Sequence, residues 1–366
     1  MGGLFFVLLH HASNSGWGVA VRRVMEHLAN MIPFAFAMFL PILVLQGPRE
    51  ALYEWMHLLR IGSDDVLLKG KYPYLSAGFF IFRIVFYFVA LSGIAYLLRR
   101  WSLQQDETGD VRPTFLARRW SCGFIPIFAV SATFMAVDLL MALDYAWFST
   151  MWGVYIFAGS ALSGMAVIIL TTTALRNHGY LGRVVTTEHY HLMGKLMFAF
   201  TVFWAYISFS QFFLYWYAKI TEETKFYILR NTEGWYFVSL FLVFGHFVIP
   251  FVILLRQAAK KDMRQICAVA VWVLFVHMVD IYWIVIPERG PCLTHGEHLT
   301  IGGVFFLVVL AFISVVSCML WLFLRSIGRF SLSPARDPRL LESARAVNYR
   351  LLSTSNFFRF QWTPSI

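Results

Sequence analysis

The stretch that decides the fold runs from residue 188 to residue 212 and reads EHYHLMGKLMFAFTVFWAYISFSQF. It begins with a carboxylate, imidazoles and an ammonium, and it continues as an apolar run long enough to cross a lipid bilayer. Ionisable groups at the mouth of such a run are costly in lipid, and they are usually functional or paired with one another. The stretch therefore predicts a membrane protein that handles charge.

The composition agrees with a membrane protein. The chain is 59% hydrophobic and 14% charged over 366 residues, whereas a soluble protein carries roughly 25% charged residues. The formal net charge is +10. In a membrane protein an excess of Lys and Arg reports topology more often than a nucleic-acid partner, so we expect no nucleic acid.

The four cysteines are scattered singly along the chain, at Cys122, Cys267, Cys292 and Cys318. They form no CxxC pair for a zinc or iron–sulfur site and no CxxCH motif for covalent haem. A redox cofactor would be non-covalent or would belong to another subunit.

Apolar runs predict an all-α polytopic fold with about nine transmembrane helices. They lie at residues 1–10, 30–46, 76–98, 124–143, 152–175, 193–217, 236–255, 267–286 and 301–324. The first run is too short to cross a bilayer alone. It either continues into residues 17–20 or follows residues upstream of Met1, and the second alternative is favoured.

Basic residues fall in loops between alternate runs, which predicts that these loops are cytoplasmic. They are Arg99, Arg100, Arg112, Arg118 and Arg119, then Arg176 and Arg183, then Arg256, Lys260, Lys261 and Arg264. Residues 1–330 form the predicted membrane domain, with bundles at 17–178 and 187–329. Residues 331–366 form a predicted cytoplasmic tail that docks on a partner or on the membrane face.

The first group of polar residues inside the predicted spans is Asp138 and Asp144. Their six-residue spacing places them on different faces of a helix, so they cannot share a proton directly. Buried acids in spans are usually functional, but Asp138 also fits a structural hydrogen bond to a facing helix. Asp144 fits a helix cap as well as proton transfer. Arg83 is a candidate counter-ion for one of the acids.

The second group is Glu188, His191 and Lys195, which lie three and seven residues apart on one helix face. This spacing favours a proton entrance at the cytoplasmic end, because the imidazole titrates near neutral pH. The alternative is a paired interfacial cluster whose side chains reach towards water.

The third group is His277 and Asp280, an imidazole and a carboxylate on one helix face. They fit a proton relay or a satisfied structural pair about equally. His246 is a lone histidine, for which core packing is the commoner explanation. A rival interpretation makes His246 and His277 the axial ligands of a b-type haem, although a second histidine pair is hard to find.

Several longer blocks are specific for one family. They are residues 138–144 (DLLMALD), 147–150 (WFST) with Gly153 and Tyr155, 191–200 (HLMGKLMFAF), and 209–212 (FSQF) with Trp216 and Tyr217. With residues 221–224, His277, Asp280 and 334–344, they resemble the second NrfD-like (polysulfide-reductase-type) membrane subunit of bacterial alternative complex III. That complex is a quinol:cytochrome c, or electron carrier, oxidoreductase, and the resemblance covers essentially the whole chain.

The resemblance implies two four-helix bundles plus a flanking helix in the bacterial inner membrane, with a cytoplasmic C-terminus. It implies a non-catalytic subunit that binds no metal and no cofactor itself, beside a sister NrfD-like subunit that oxidises menaquinol or another quinol. Further implied partners are an iron–sulfur subunit, multihaem and monohaem cytochrome c subunits, small membrane-associated subunits and lipid. The implied proton path uses Asp138, Asp144, His191, Lys195, His277 and Asp280.

The sequence also departs from the family pattern. Val137 and Leu139 stand where tryptophans are expected beside Asp138, and Leu192 stands where an acid is expected. The missing acid weakens a complete cytoplasmic entrance unless Glu188 replaces it one turn earlier. Three classes of function stay open: a proton-conducting subunit, a structural scaffold, and a stand-alone transporter or b-type cytochrome.

An aromatic-rich stripe could also hold the isoprenoid tail of a quinone. It consists of Trp204, Tyr206, Phe212 and Trp216. Helix packing or contact with lipid is the commoner role of such a stripe.

Overall fold

The computed structural model describes residues 1–182, 184–232, 234–293, 301–328 and 331–345, and this part of the chain is helical without strands. Its first helices are α1 (Gly2–Ala12), α2 (Arg22–Ala29), α3 (Ile32–Val44), α4 (Gln46–Leu52), α5 (Glu54–Arg60), α6 (Val66–Lys71), α7 (Ala77–Thr108) and α8 (Arg112–Leu139). They are followed by α9 (Trp152–Asn177), α10 (Thr187–Ala218), α11 (Thr221–Leu229), α12 (Trp235–Leu242), α13 (Ile249–Leu255), α14 (Gln257–Lys261), α15 (Met263–Leu293), α16 (Ile301–Ile327) and α17 (Leu340–Ala344).

Within the described residues, eight helical stretches are long and apolar enough to cross a membrane. They are Arg22–Val44, Ala77–Thr108, Arg112–Leu143, Trp152–Asn177, Thr187–Ala218, Trp235–Leu255, Met263–Glu288 and Phe306–Ile327. The prediction of an all-α polytopic protein is thus confirmed, with eight candidate spans in place of about nine. The difference is the first run, because α1 has 11 residues and is only about 16 Å long.

Helix α1 is buried against α9 by close contact of small residues. A Cβ atom on Gly2 would lie 2.1 Å from the carbonyl oxygen of Ser160 and 3.0 Å from the Cα atom of Gly164. Glycine at both positions lets the two backbones touch, as in many membrane helix pairs.

Helix α9 occupies the centre of the molecule and packs on α1, α2, α8, α10 and α15. Its buried face includes Ala158, Ala161 and Ala166, and the main hydrophobic core extends from α1 through α7, α8, α9 and α10 to α15. This core contains residues from both predicted bundles. The division at residues 178 and 187 stays a prediction.

Prolines shape two helices near the polar groups described below. Pro250 has no N–H to bond the carbonyl of His246, and the helix there widens into a π-helical turn, Val243–Val248. Pro287 likewise leaves the carbonyl of Trp283 without its helical donor. Arg230 satisfies that carbonyl instead, with its Nε 3.0 Å from the oxygen.

The basic loops and the described part of the tail lie at one end of the molecule. Arg336 donates to the carbonyl of Glu107 at 2.6 Å, which joins the tail to the end of α7. The Ser343 hydroxyl donates to the carbonyl of Trp17 at 2.8 Å and lies 3.4 Å from His189 Nε2 on α10. Residues 331–345 therefore contact this chain itself, and docking of the tail on a partner or on the membrane face stays a prediction. Residues 346–366 and Arg183 lie outside the described residues.

Candidate functional site

Asp138 is fully buried and holds four hydrogen bonds from side chains. Arg83 Nε donates to Oδ2 at 2.8 Å, and Arg83 Nη2 donates to Oδ1 at 2.9 Å. The hydroxyls of Tyr74 and Tyr87 donate to the same carboxylate at 2.9 and 3.0 Å. Arg83 thus lies against Asp138, as one sequence alternative proposed, and the carboxylate is saturated by fixed donors.

Asp144 makes separate contacts at the opposite end from the tail. Its Oδ1 accepts from the backbone N–H of Ala146 at 2.9 Å, and its Oδ2 accepts from Lys225 Nζ at 2.9 Å. The side chain of Lys225 is 58% exposed. Asp144 therefore combines a local cap with a surface ion pair to α11, and it does not meet Asp138.

At the end of the molecule that carries the basic loops, Glu188 contacts Lys261 and His191. Lys261 Nζ donates to Glu188 Oε1, and His191 Nδ1 lies 3.4 Å from Glu188 Oε2. Lys195 is exposed. The helix spacing placed Glu188 and His191 together correctly, but the ammonium that pairs with Glu188 comes from α14, which the spacing of α10 alone does not reveal.

The third group forms a buried polar centre between α9, α10, α15 and the π-helical turn. We call Tyr155, His246, His277 and Asp280 the polar centre. Tyr155 donates to Asp280 Oδ1 at 2.5 Å, and His277 Nδ1 lies 3.6 Å from Asp280 Oδ2. The ring of His246 lies with its centroid 5.8 Å from that of His277.

Two neighbours fix the imidazoles of the polar centre. The ring of His246 stacks on Trp204 with 3.9 Å between centroids. A Cβ atom on Gly159 would lie 2.6 Å from His277 Cε1, so only glycine leaves room for that ring. The sequence did not predict that Tyr155, Gly159 and Trp204 belong to this group. They lie on other helices than His277 and Asp280, and only tertiary packing brings them together.

The polar centre retains hydrogen-bonding capacity. Among the described residues, neither ring nitrogen of the fully buried His246 has a hydrogen-bond partner, and His277 Nδ1 also has none. Asp280 is 1% exposed and forms no salt bridge there with an arginine or a lysine. The polar centre therefore has unused hydrogen-bonding atoms, whereas the carboxylate of Asp138 is fully hydrogen-bonded.

His246, His277 and Asp280 are residue types that bind metals, and one ligand atom from each lies within 4.8 Å of the others. Ligands of a tetrahedral zinc ion at about 2.0–2.2 Å lie roughly 3.3 Å apart, so the three side chains would have to close in to bind one. A haem would have to replace Trp204, which covers one face of His246. The present arrangement fits neither group without rearrangement.

A cavity of about 710 Å³ lies beside the polar centre, between α10, α11, α12 and α15. Its wall is largely aromatic. Tyr155 and Trp204 line the cavity and also contact the polar centre. Three members of the predicted aromatic stripe line it, namely Trp204, Phe212 and Trp216, whereas Tyr206 is 64% exposed elsewhere. Its size lies within the usual range for small-molecule sites.

Arg230 lines the same cavity and ties α11 to α15. It donates to the carbonyls of Phe226, Trp283 and Ile284 and to Glu288 at 2.9 Å. Burial lowers the pKa of Arg230, an effect that Glu288 opposes. All of these contacts fix the wall of the cavity, which also contains Tyr155, the residue whose hydroxyl bonds Asp280.

No protein-family model matches the chain, and no curated protein matches it either.

Proposed function

We propose that the protein is a proton-conducting membrane subunit of a quinol:electron-acceptor oxidoreductase of the alternative complex III type. The observation that supports this proposal is the polar centre, in which Asp280 is buried without a fixed cation. The polar centre lies between helices that are long and apolar enough to span a membrane.

Asp280 is suited to exchanging a proton because of what surrounds it. A buried carboxylate is costly unless a cation or a proton compensates it. Among the described residues no arginine or lysine lies against Asp280, and the nearest basic group is the imidazole of His277, 3.6 Å away. Tyr155 orients the carboxylate, and the two unpartnered ring nitrogens of His246 let it accept a proton on one nitrogen and donate one from the other.

Asp138 has a different role in this proposal. Arg83 carries a permanent charge and bonds both oxygens of the Asp138 carboxylate, so the pair holds α7 to α8. It is a structural residue. The scaffold interpretation of the sequence thus applies to Asp138 and the proton interpretation applies to Asp280.

Glu188 and His191 are the proposed cytoplasmic entrance, beside Lys261. Further polar groups continue inward, where Thr173 bonds the hydroxyl of Tyr190 and accepts from Cys267. Between these groups and His277 lies an apolar layer that includes Ile169, Met197 and Val273. The polar centre therefore exchanges protons more directly with the cavity, whose wall contains Tyr155.

The proposal places the chain in the bacterial inner membrane with its C-terminus cytoplasmic, because the basic loops and the tail share one end. The partners are a sister NrfD-like subunit that oxidises menaquinol or another quinol, an iron–sulfur subunit, cytochrome c subunits and small membrane-associated subunits. The haem c and the iron–sulfur clusters belong to those partners. The complex would serve a respiratory or photosynthetic chain.

Extraction of the native complex tests the assignment. Membranes are solubilised in mild detergent, the full chain is captured through an affinity tag, and the bound proteins are identified by mass spectrometry. We expect a multihaem cytochrome c, a large iron–sulfur protein and a second NrfD-like subunit. Recovery of the chain alone would remove the oxidoreductase assignment and favour a stand-alone transporter or a b-type cytochrome.

A further inference from the structure

A second, smaller cavity lies at the end of the molecule that carries the basic loops. It is enclosed by the end of α1, the turn after it, the beginning of α8 and the tail. Its volume of about 30 Å³ has room for one or two oxygen-sized atoms. We call it the basic pocket; the residues used below are His11, Ser15, Arg22, Thr114, Arg118 and Asp337.

Three buried polar atoms of the basic pocket have no hydrogen-bond partner among the described residues. They are His11 Nε2, Ser15 Oγ and Thr114 Oγ1. Each of these atoms can donate a hydrogen bond. Buried polar atoms are nearly always paired, so three unpaired donors around one small space indicate an occupant that accepts hydrogen bonds.

The charges of the basic pocket favour an anionic occupant. The only acid that lines it, Asp337, already accepts from Arg22 at 2.8 Å and from the backbone N–H of Arg339 at 2.9 Å. Arg118 lines the pocket and forms no salt bridge within the described part of the chain. One arginine charge is thus left for a ligand.

The position of the basic pocket along α8 indicates which anion is present. Trp120 is 50% exposed and lies six residues after Thr114, about 9 Å further along the helix. Exposed tryptophans on membrane helices lie at the interface with the lipid headgroups. The pocket is therefore at the level of lipid phosphates, and basic pockets at this level bind anionic headgroups.

We propose that the basic pocket binds a phosphate group, with one phosphate oxygen inside the cavity and Arg118 at its mouth. The source is an anionic phospholipid of the cytoplasmic leaflet, and free phosphate is the alternative that the test separates. A bound phosphate would join α1, α8 and the tail through donors that the protein leaves unpaired. The proposal does not rest on the proposed function.

The test is native mass spectrometry of the full chain in mild detergent with added phosphatidylglycerol or phosphatidylcholine. Thermal unfolding is measured in parallel with each lipid and with inorganic phosphate against chloride. The variants are Arg118→Gln and Thr114→Val, of which the second removes a hydroxyl without changing charge. Arg119→Gln is the matched control, because Arg119 is exposed on the same helix and does not line the pocket.

We expect phosphatidylglycerol to bind in preference to phosphatidylcholine and to raise the melting temperature. Arg118→Gln should weaken that binding about tenfold, Thr114→Val should weaken it several-fold, and Arg119→Gln should leave it unchanged. Stabilisation of the wild type, but not of Arg118→Gln, by inorganic phosphate alone would retain the site and assign it to free phosphate. Equal binding of the two lipids together with no effect of phosphate would leave only water in the pocket and overturn the proposal.

Discussion

Arg83 and Asp138 form a bidentate ion pair in which both carboxylate oxygens accept from the guanidinium, at 2.8 and 2.9 Å. Asp280, a second deeply buried acid, has a tyrosine and a histidine in place of an arginine. The two acids lie on membrane helices and look alike in the sequence. Their partners differ, and this difference is the basis of the separate roles that we propose for the two acids.

The pair of Arg83 and Asp138 should behave as a structural unit. We expect Arg83→Gln to lower the free energy of unfolding by about 3–5 kcal/mol, because the substitution leaves a buried carboxylate without its cation. Asp138→Asn in the same chain should restore part of that loss, since it removes the uncompensated charge. Thermal unfolding of the single and double variants in detergent measures the coupling. Additive effects would contradict the structural pairing.

Gly159 should be intolerant of a larger residue. Gly159→Ala places a methyl group 2.6 Å from His277 Cε1, so the imidazole must leave its present position beside Asp280 or the helices must separate. We expect a cost of about 1–3 kcal/mol in stability and a loss of proton transfer. Gly93→Ala is the control, because a Cβ atom there meets nothing within 4 Å. Equal behaviour of the two variants would show that His277 does not need its present position.

Arg230 should be essential to the wall of the large cavity. Arg230→Gln leaves Glu288 without its cation and the Trp283 carbonyl without its donor, so we expect a loss of about 3–5 kcal/mol. Lys225→Gln, which removes an exposed partner of Asp144, should cost at most about 1 kcal/mol. Thermal unfolding compares the two. A mild effect of Arg230→Gln would mean that another donor replaces it.

Tyr145 and Asp65 should give the protein a pH-dependent contact outside the membrane spans. The Tyr145 hydroxyl donates to Asp65 at 2.6 Å and, with the N–H groups of Leu68 and Leu67, holds the pKa of that carboxyl below its ordinary value. The same contact raises the pKa of Tyr145 to about 12. The folded protein therefore favours the ionised acid and the neutral phenol.

The sign of the pH effect on stability follows from the directions of the two pKa shifts. A lowered acid pKa gives stability that is present above about pH 4 and is lost as the pH falls through the folded pKa. A raised phenol pKa gives stability that is present below about pH 10 and is lost towards pH 12. Tyr145→Phe should thus be less stable than the wild type between pH 5 and 9, by about the same amount throughout. In acid the melting temperatures of the two proteins should become equal. A difference that persists at pH 2 would contradict this; Asp64→Asn, at an exposed neighbour, is the control.

The sequence predicted the helices because each span is a long apolar run, and lipid allows little else. It also placed Glu188 beside His191 and His277 beside Asp280, since these pairs lie on one helix face. The sequence did not predict which side chains on different helices contact each other. The sequence offered Arg83 as the counter-ion of one of the acids without deciding which, and Lys261 carried no prediction as the partner of Glu188.

Other features were hidden for physical reasons that the structure makes clear. Tyr155 and Gly159 are ordinary residues of an apolar helix until α15 packs against them. Arg23, for which the sequence carried no prediction, is fully buried and bonds Glu26, Asp106 and the carbonyl of Ser102. In each case the partner is distant in sequence, or the burial depends on elements that fold over it.

The most direct test of the account is the proton-to-electron ratio of the reconstituted complex in liposomes. The complex carrying Asp280→Asn is compared with the wild type and with Asp138→Asn, and assembly is checked by subunit content. We predict that Asp280→Asn assembles and transfers electrons with fewer protons moved per electron, whereas any complex that assembles with Asp138→Asn keeps the normal ratio. An unchanged ratio in fully assembled Asp280→Asn complex would contradict a proton-conducting role for the polar centre.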